Sequence, residues 1–403
     1  MSTLYAASFQ PPDVPASTSG PPAWVLLNRL GYVADRGNAT TAEALTSTGQ
    51  PIAFSFFPAE PPGVSHFCVH CPGLDVSGYS THPLVVHCAG NLVLLTISLK
   101  HHREDFLYRA SRRGRPQSLE LVQGLTAQLC KIKPPAYVAV VPCGEHFALA
   151  ALGYPREGGR YDFHVFRSKL RTWTAKVVTL RGVETVIYPD KVIVLGGGEI
   201  GWVDLGRGIL VCNPLEENPV FRVIPPPTLL PANRVGTGFR FADQFRDMVC
   251  VDGMIKLVEL EHTKLYDQDL TSSDTVETEP KGDYTGWRLV TWNRTVSSNC
   301  WRRGSFVHVD DFVAMDDMRH SALLPGRGLV EKETGKNLRP SYPVLSMDGT
   351  DVVYLKCKVD RKDNKVWVVA LDMTKKTIQD VAPFQEERPS SGNNITCAYL
   401  NAE

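Results

Sequence analysis

Long hydrophobic runs, an excess of one charge and sustained helical periodicity are all missing from this chain of 403 residues. The most apolar stretch, 84–99, is interrupted by His87 and Gly90 and is too short and too polar to span a bilayer. Lys+Arg and Asp+Glu are equal at 43 each, which excludes a globally basic nucleic-acid binder and an acidic tail protein. The best helical candidates, 117–129 and 232–245, are both weak.

Sequence signatures of enzymes and of export are missing as well. The chain has no nucleophile elbow, kinase motif set, Walker loop or HExxH. Residues 1–22 are rich in Pro, Ser and Thr and lack the basic and apolar regions of a secretory signal, so we expect a disordered leader. We therefore expect an intracellular protein, in the cytoplasm or the nucleus, whose 10 cysteines stay reduced. Most of these lie in apolar, strand-like runs, as Cys212 and Cys357 do.

Short β-branched or aromatic runs separated by Gly, Pro, Asn or Asp make up most of the chain after residue 22. One example is the pair of runs joined by Asp252-Gly253, two residues that tolerate positive φ and favour a tight hairpin. Many short strands without intervening helices predict an all-β fold. Three similar segments, 161–173, 201–213 and 365–378, indicate repeated strand pairs, as in propeller blades.

The sequence therefore predicts a single β-propeller-like domain over 23–400, with six to eight blades of short antiparallel strands. Radial repetition explains how so many strands leave only short, protected edges. We expect inserted loops near 100–116 and 262–284. The first contains the basic stretch 100–115, and the second belongs to an acidic stretch, 259–283.

Three groups of residues have a spacing that could carry chemistry. The spacing of Cys68 and Cys71 with His82 and His87 superficially matches a zinc site, but Pro83 and strand-like residues separate the histidines. Gly196-Gly-Gly-Glu-Ile-Gly201 matches the dinucleotide-binding pattern, but it is followed by strand residues, so we interpret it as a turn between strands. Acidic and histidine residues suited to Mg²⁺ or Ca²⁺ lack the spacing of a calcium loop, and a solvated loop is favoured. They are His308, Asp310, Asp311, Asp316, Asp317 and His320. We assign no catalytic, cofactor-binding or metal-ligating residue.

Three segments together resemble a known family. They are Trp24–Asn28, the core Gly201-Trp-Val-Asp-Leu-Gly-Arg-Gly-Ile-Leu-Val-Cys212, and Phe221-Arg-Val-Ile-Pro-Pro-Pro227. They are similar to the plant Domain of Unknown Function 1618 family, which is expanded in grasses. The resemblance implies a propeller-like fold similar to F-box-associated domains and no established activity. Some relatives carry an F-box module ahead of the propeller; we expect none within the first 22 residues and therefore no direct ubiquitin-ligase role.

Within the core segment we expect a single hairpin. Trp202 and Leu205 supply its apolar faces, and Arg207 is an exposed turn residue or pairs within the hairpin. Pro225 should end the following strand, because proline cannot donate to a sheet ladder.

The leading functional prediction is a non-enzymatic module that recognises a protein partner through loops on one propeller face. The first alternative is an enzyme or small-ligand binder with a dispersed site in the central channel. A weaker alternative is RNA binding through 100–115, carried by Arg112, Arg113 and Arg115.

Overall fold

The computed structural model describes residues 8–12, 22–112, 114–125, 138–153, 155–180, 185–234, 238–264, 284–312, 338–358, 365–385 and 394–399. Over these residues the chain forms six β-sheets arranged as the blades of a β-propeller, which confirms the predicted fold. No helix in the described ranges is long and apolar enough to cross a membrane.

The first five strands belong to the blade that closes the ring, blade 6. They are β1 Val25–Asn28, β2 Tyr32–Val33, β3 Ala42–Leu45, β4 Pro51–Phe57 and β5 Val64–His70. The two following blades are four-stranded meanders. Blade 1 contains β6 Leu84–Ala89, β7 Leu92–Ser98, β8 Arg103–Arg109 and β9 Ser118–Leu121. Blade 2 contains β10 Val138–Cys143, β11 His146–Leu152, β12 Arg160–Arg167 and β13 Thr172–Thr179.

The remaining blades repeat the same meander. Blade 3 contains β14 Lys191–Gly196, β15 Glu199–Asp204, β16 Gly208–Cys212 and β17 Arg222–Ile224. Blade 4 contains β18 Arg246–Val251, β19 Met254–Lys264, β20 Tyr284–Thr295 and β21 Arg302–His308. Blade 5 contains β22 Arg339–Leu345, β23 Val352–Lys358, β24 Lys365–Asp372 and β25 Thr377–Gln385. The helical segments of the described ranges are short: the 3₁₀ segments Val76–Gly78, Pro231–Arg234 and Gly238–Gln244, one α-helical turn, Val309–Phe312, and the single helical residue Leu125.

Blade 6 is assembled from both ends of the described chain. Its innermost strand, β26 Ile395–Ala398, pairs antiparallel with β1, so that Val25 faces Ala398. β1 pairs in parallel with β5, and β4 and β3 complete the blade. The inner strands β6, β10, β14, β18, β22 and β26 each contact the next one around the axis, and β26 contacts β6. The ring is therefore closed by strand pairing between residues that are far apart in sequence.

The hydrophobic core lies between neighbouring blades. Residues from blades 6 and 1 form one buried cluster, in which Phe54 and Phe106 approach to 5.6 Å between ring centroids. Trp202 of β15 is fully buried and meets Phe163 of blade 2 edge-on at 5.9 Å. Burying such alternating apolar faces against the next blade supplies the main driving force for the fold.

Several sequence expectations need correction at the level of single elements. The basic segment near 100–116, expected as an inserted loop, contains the strand β8 and only a short turn before β9. The candidate helix 117–129 contains the strand β9, and its residues 126–129 lie outside the described residues. In the described part of 232–245 the helical structure is of the 3₁₀ type. The expected insertion near 262–284 lies mostly outside the described residues.

The N-terminal segment also differs from the expected disordered leader where it is described. Phe9 is fully buried and stacks on the His82 ring at 3.9 Å between centroids, and its carbonyl accepts from the Val33 amide. Ser8 and His82 are 3.1 Å apart between Oγ and Nε2. Local composition could not reveal this docking, because a single aromatic side chain carries it.

The three similar segments are not equivalent in the fold. Segments 161–173 and 365–378 run from the third to the fourth strand of a blade, whereas 201–213 runs from the second to the third. The prediction of strand–turn–strand units is confirmed, but the sequence pattern alone did not show which two strands of a blade each unit forms. Every hairpin has the same alternation, and only position in the ring distinguishes inner from outer strands.

Candidate functional site

A cavity of about 290 Å³ follows the inner strands along the propeller axis, and we call it the channel. It extends from Arg29 and Asp190, near the beginnings of the inner strands, to Gly90, Asp252 and Tyr399, near their ends. Its wall is largely aliphatic between these ends. The aliphatic lining residues are Val85, Val86, Val192, Ile193, Val249 and Met347.

His87 joins three neighbouring blades beside the channel. Its Nδ1 accepts from the Val140 amide of β10 at 3.0 Å, which places the ring proton on Nε2. A second hydrogen bond connects it with the backbone of Val192 in β14. Burial, followed by the charges of Arg29 and Lys191, lowers the pKa of His87 to about 4, so the ring is neutral at physiological pH.

Lys191 and Asp247 continue this linkage around the axis. The Lys191 Nζ of β14 lies 2.7 Å from Asp247 Oδ1 of β18, and Asp247 Oδ2 accepts from the Leu345 amide of β22 at 2.9 Å. Asp247 is almost fully buried, so the ion pair and the amide replace its lost hydration. One carboxylate thus ties three successive blades together.

Arg29 and Cys397 complete the circuit at blade 6. The Cys397 thiol of β26 donates to the Leu345 carbonyl at 3.4 Å, and Arg29 Nε, just after β1, donates to the Val85 carbonyl of β6 at 3.2 Å. The Val85 amide donates in turn to the Arg29 carbonyl at 2.8 Å. Side chains therefore link all six blades around the axis, and this is the main structural use of the polar groups of the channel.

A second cavity is an open groove of about 510 Å³ between blades 3 and 4. Its walls are β17 with the following Pro225 and the hairpin turns at Gly253 and at 295–299. Arg222 contacts both carboxylate oxygens of Glu199, at 2.9 and 2.7 Å. We call this cavity the inter-blade groove.

Arg294 supplies the second positive charge of the inter-blade groove. Its guanidinium donates to the backbone carbonyls of Thr295 and Ser298 and lies 5.5 Å from the centre of the Trp301 ring. Burial, and then the nearby Arg222, lower the pKa of Arg294. No carboxylate of the described chain forms an ion pair with Arg294, so one Glu199 charge faces two guanidinium groups.

The hairpin of the core sequence segment is organised around Asp204. Its Oδ1 accepts from the amides of Gly206 and Arg207, and its Oδ2 accepts from the Tyr188 amide at 3.0 Å. Arg207 NH1 lies 3.1 Å from the same Oδ2, which confirms the predicted pairing within the hairpin. β17 ends at Ile224, directly before Pro225, as expected.

The zinc-like spacing does not produce a metal site in the described part of the chain. There, no group of three or more His, Cys, Asp or Glu side chains is placed to hold a metal ion. Cys68 and Cys71 are buried thiols at blade 6, His82 packs on Phe9, and His87 bonds to backbone across the channel.

The other sequence candidates have structural positions. Gly196, Gly197 and Gly198 have φ of 90°, 60° and 83° and form the turn between β14 and β15, as interpreted from the sequence. Asp311 accepts from the His308 amide and pairs with Lys376 of blade 5 at 3.0 Å. Asp316, Asp317 and His320 lie outside the described residues. In the basic segment, Arg115 pairs with Glu145 and Arg103 with Asp105, while Arg113 lies outside the described residues.

Sequence reasoning missed Arg29, Asp247, Arg294 and the fully buried pair of Arg246 and Glu259, which are 2.7 Å apart. Arg29, Asp247 and Arg294 come from strands or turns with no distinctive local pattern. A charged residue inside an apolar run, such as Glu259 in Leu257–Leu260, is the signal that could have indicated burial with a partner.

The fold and these cavities define a six-bladed β-propeller with a channel linked by polar side chains and a cationic groove between two blades. Residues 202–354 match the family model described as "Protein of unknown function (DUF1618)". The match runs from β15 in blade 3 through blade 4 to β23 in blade 5, and it includes Arg222 and Arg294 of the inter-blade groove.

Three similar solved structures share 10–13% sequence identity with the chain. A hypothetical selenium-binding protein from Sulfolobus tokodaii is 13% identical, with a TM-score of 0.39, over 84% of this chain and 74% of that one. The WD40 domain of SCAP from fission yeast is 11% identical, with a TM-score of 0.31, over 86% and 76%. A cobalt-substituted Synechocystis ACO is 10% identical, with a TM-score of 0.31, over 93% and 92%. No curated protein matches the chain.

Proposed function

We propose that this propeller is a binding module that recognises an acidic segment of a partner protein through the inter-blade groove. The observation that supports it most directly is the charge imbalance of Arg222 and Arg294 against Glu199 in an open, solvent-accessible groove. A carboxylate side chain of a partner would neutralise Arg294 and form charge-assisted hydrogen bonds with guanidinium N–H groups.

Rigidity of the groove supports the same proposal. Trp301 donates from its indole nitrogen to the Pro225 carbonyl at 2.8 Å, which ties blade 4 to blade 3 across the groove. Arg294 is held by two backbone carbonyls and by the Trp301 ring. Little side-chain entropy is then lost on binding, which favours affinity.

The alternatives have less support. The paired Arg103 and Arg115 reduce the free positive charge of the basic segment, so RNA binding stays a weaker prediction. Around the channel, His87 and Asp247 are hydrogen-bonded to backbone amides, an arrangement suited to holding strands rather than to proton transfer.

Fluorescence anisotropy with a library of labelled Asp/Glu-rich peptides, each matched by an Asn/Gln version, tests the proposal. We expect acidic peptides to bind, with an affinity that falls as salt is added. Arg294→Gln and Arg222→Gln should each weaken binding about tenfold or more. Arg160→Gln, at an exposed arginine of blade 2 whose Nε donates to the nearby Glu157 carbonyl, is the matched control.

Circular dichroism should show that the variants remain folded. Equal binding of acidic and amidated peptides, or equal loss in the Arg160→Gln control, would overturn the proposal.

A further inference from the structure

Arg29 carries a positive charge that the channel does not neutralise. Its Nε bonds to the Val85 carbonyl, and within the described residues no carboxylate forms an ion pair with its guanidinium. Lys191, the other cation of the channel, is already paired with Asp247. Arg29, Lys191 and Asp247 together carry one unit of net positive charge beside the channel.

The two acidic residues that line the channel, Asp190 and Asp252, do not compensate Arg29. Asp190 accepts from the Leu205 amide at 2.8 Å, and its electrostatic neighbours are Asp204, Asp243 and Arg207. Asp252 is exposed at the hairpin turn between β18 and β19. A cation taken out of water without a counter-charge is costly, and a bound anion removes much of that cost.

The shape and lining of the channel restrict which anion fits. Its volume of about 290 Å³ is at the low end for ligand pockets, and its wall beyond Arg29 is largely aliphatic. One available guanidinium matches a monoanion, because a dianion would keep an uncompensated charge among valines. A planar carboxylate also fits the paired N–H groups of a guanidinium.

We propose that the channel binds a small monocarboxylic acid, with Arg29 holding the carboxylate and the aliphatic wall holding an apolar body. The proposal is independent of the inter-blade groove and of the acidic partner proposed above. It concerns binding alone and involves no covalent step.

Isothermal titration calorimetry of the full chain with acetate, butanoate and hexanoate tests it, with hexanol and inorganic phosphate as comparison probes. Affinity should rise about fourfold for each methylene buried against the wall. Hexanoate should bind at least tenfold more tightly than hexanol or phosphate. Arg29→Gln should weaken hexanoate binding at least tenfold, while Arg36→Gln, at an exposed arginine bonded to the Pro12 carbonyl, should leave it unchanged.

If Arg29→Gln fails to fold, alkylation of cysteine thiols in the wild-type protein tests the proposal instead. Cys88 lines the channel beside Arg29, whereas Cys300 is exposed outside it. Hexanoate should slow alkylation of Cys88 several-fold and leave that of Cys300 unchanged, as read by peptide mass spectrometry. Binding of hexanol or phosphate as tight as that of hexanoate, or no protection of Cys88 at saturating hexanoate, would overturn the proposal.

Discussion

Buried charged side chains in this propeller are held by backbone groups as much as by opposite charges. Arg246 is fully buried and donates to the carbonyls of Leu205 and Pro227 as well as to Glu259. Glu259 in turn accepts from the Leu230 amide at 2.8 Å. Such groups cost free energy when buried alone, so each fixes a particular arrangement of the loops around it.

Asp190 offers a pH-dependent test at this scale. Burial, followed by the charges of Asp204 and Asp243, raises its pKa from 3.8 to about 7. Between pH 4 and 7 the folded state keeps a proton that the unfolded chain has released, so the free energy of unfolding falls as pH rises through this window. Asp190→Asn removes this titration and keeps an oxygen that can accept from the Leu205 amide.

We therefore expect Asp190→Asn to match the wild type near pH 4. It should exceed the stability of the wild type above pH 7 by roughly 1–3 kcal/mol. Urea unfolding followed by tryptophan fluorescence at several pH values measures the difference. A difference that stays constant from pH 4 to pH 8 would contradict the assigned pKa.

Hairpins are the elements that the sequence predicts best. Their turn glycines differ in how much stability a substitution costs. Gly208 begins β16 with φ of 133°, and a Cβ there would lie 2.5 Å from the Ile224 carbonyl oxygen of β17. Gly253, in the hairpin between β18 and β19, has φ of 72° with nothing within 4 Å of an added Cβ. A substitution at Gly253 therefore introduces backbone strain alone, whereas a substitution at Gly208 adds a steric clash to that strain.

Gly208→Ala should destabilise the protein by more than about 2 kcal/mol, because a strained backbone and a clash with a backbone oxygen act together. Gly253→Ala should cost only about 1 kcal/mol, since its strain is conformational alone. Thermal unfolding of both variants against the wild type provides the measurement. Equal losses of stability would show that β17 lies farther from Gly208 in solution and that an added Cβ meets no clash there.

Closure of the ring is a property of the whole molecule. β26 is the inner strand of blade 6 and touches both β22 and β6, while its pairing with β1 joins residues about 370 positions apart, as in Val25 and Ala398. Long-range contacts of this kind carry a loop-closure cost that only the completed ring repays.

Removing residues 394–403 should therefore open the ring and expose the apolar edges of blades 5 and 1. We expect a lower unfolding temperature, increased binding of a hydrophobic dye and aggregation. A chain ending after Tyr399 keeps β26 and serves as the control. Unfolding temperatures that agree within a degree for the two truncations would argue against closure by β26.

The alternation of apolar runs with Gly, Pro and Asp turns was enough to determine the all-β class, the propeller and individual hairpins such as the one at Asp252-Gly253. These features depend on local backbone preference and side-chain period, which neighbouring residues encode. Burial of Phe9, the strand assignment of 103–109 and the different blade positions of the similar segments depended on contacts between distant residues.

The same distinction applies to the two candidate sites. Arg29, His87, Lys191 and Asp247 meet around the channel only because six blades close on one axis, and Arg222 meets Arg294 only because blades 3 and 4 are neighbours. The sequence by itself determined where strands and turns form, because those choices are local. Only the tertiary structure decided which charges share a cavity, because residues far apart along the chain have no common pattern until the ring is closed.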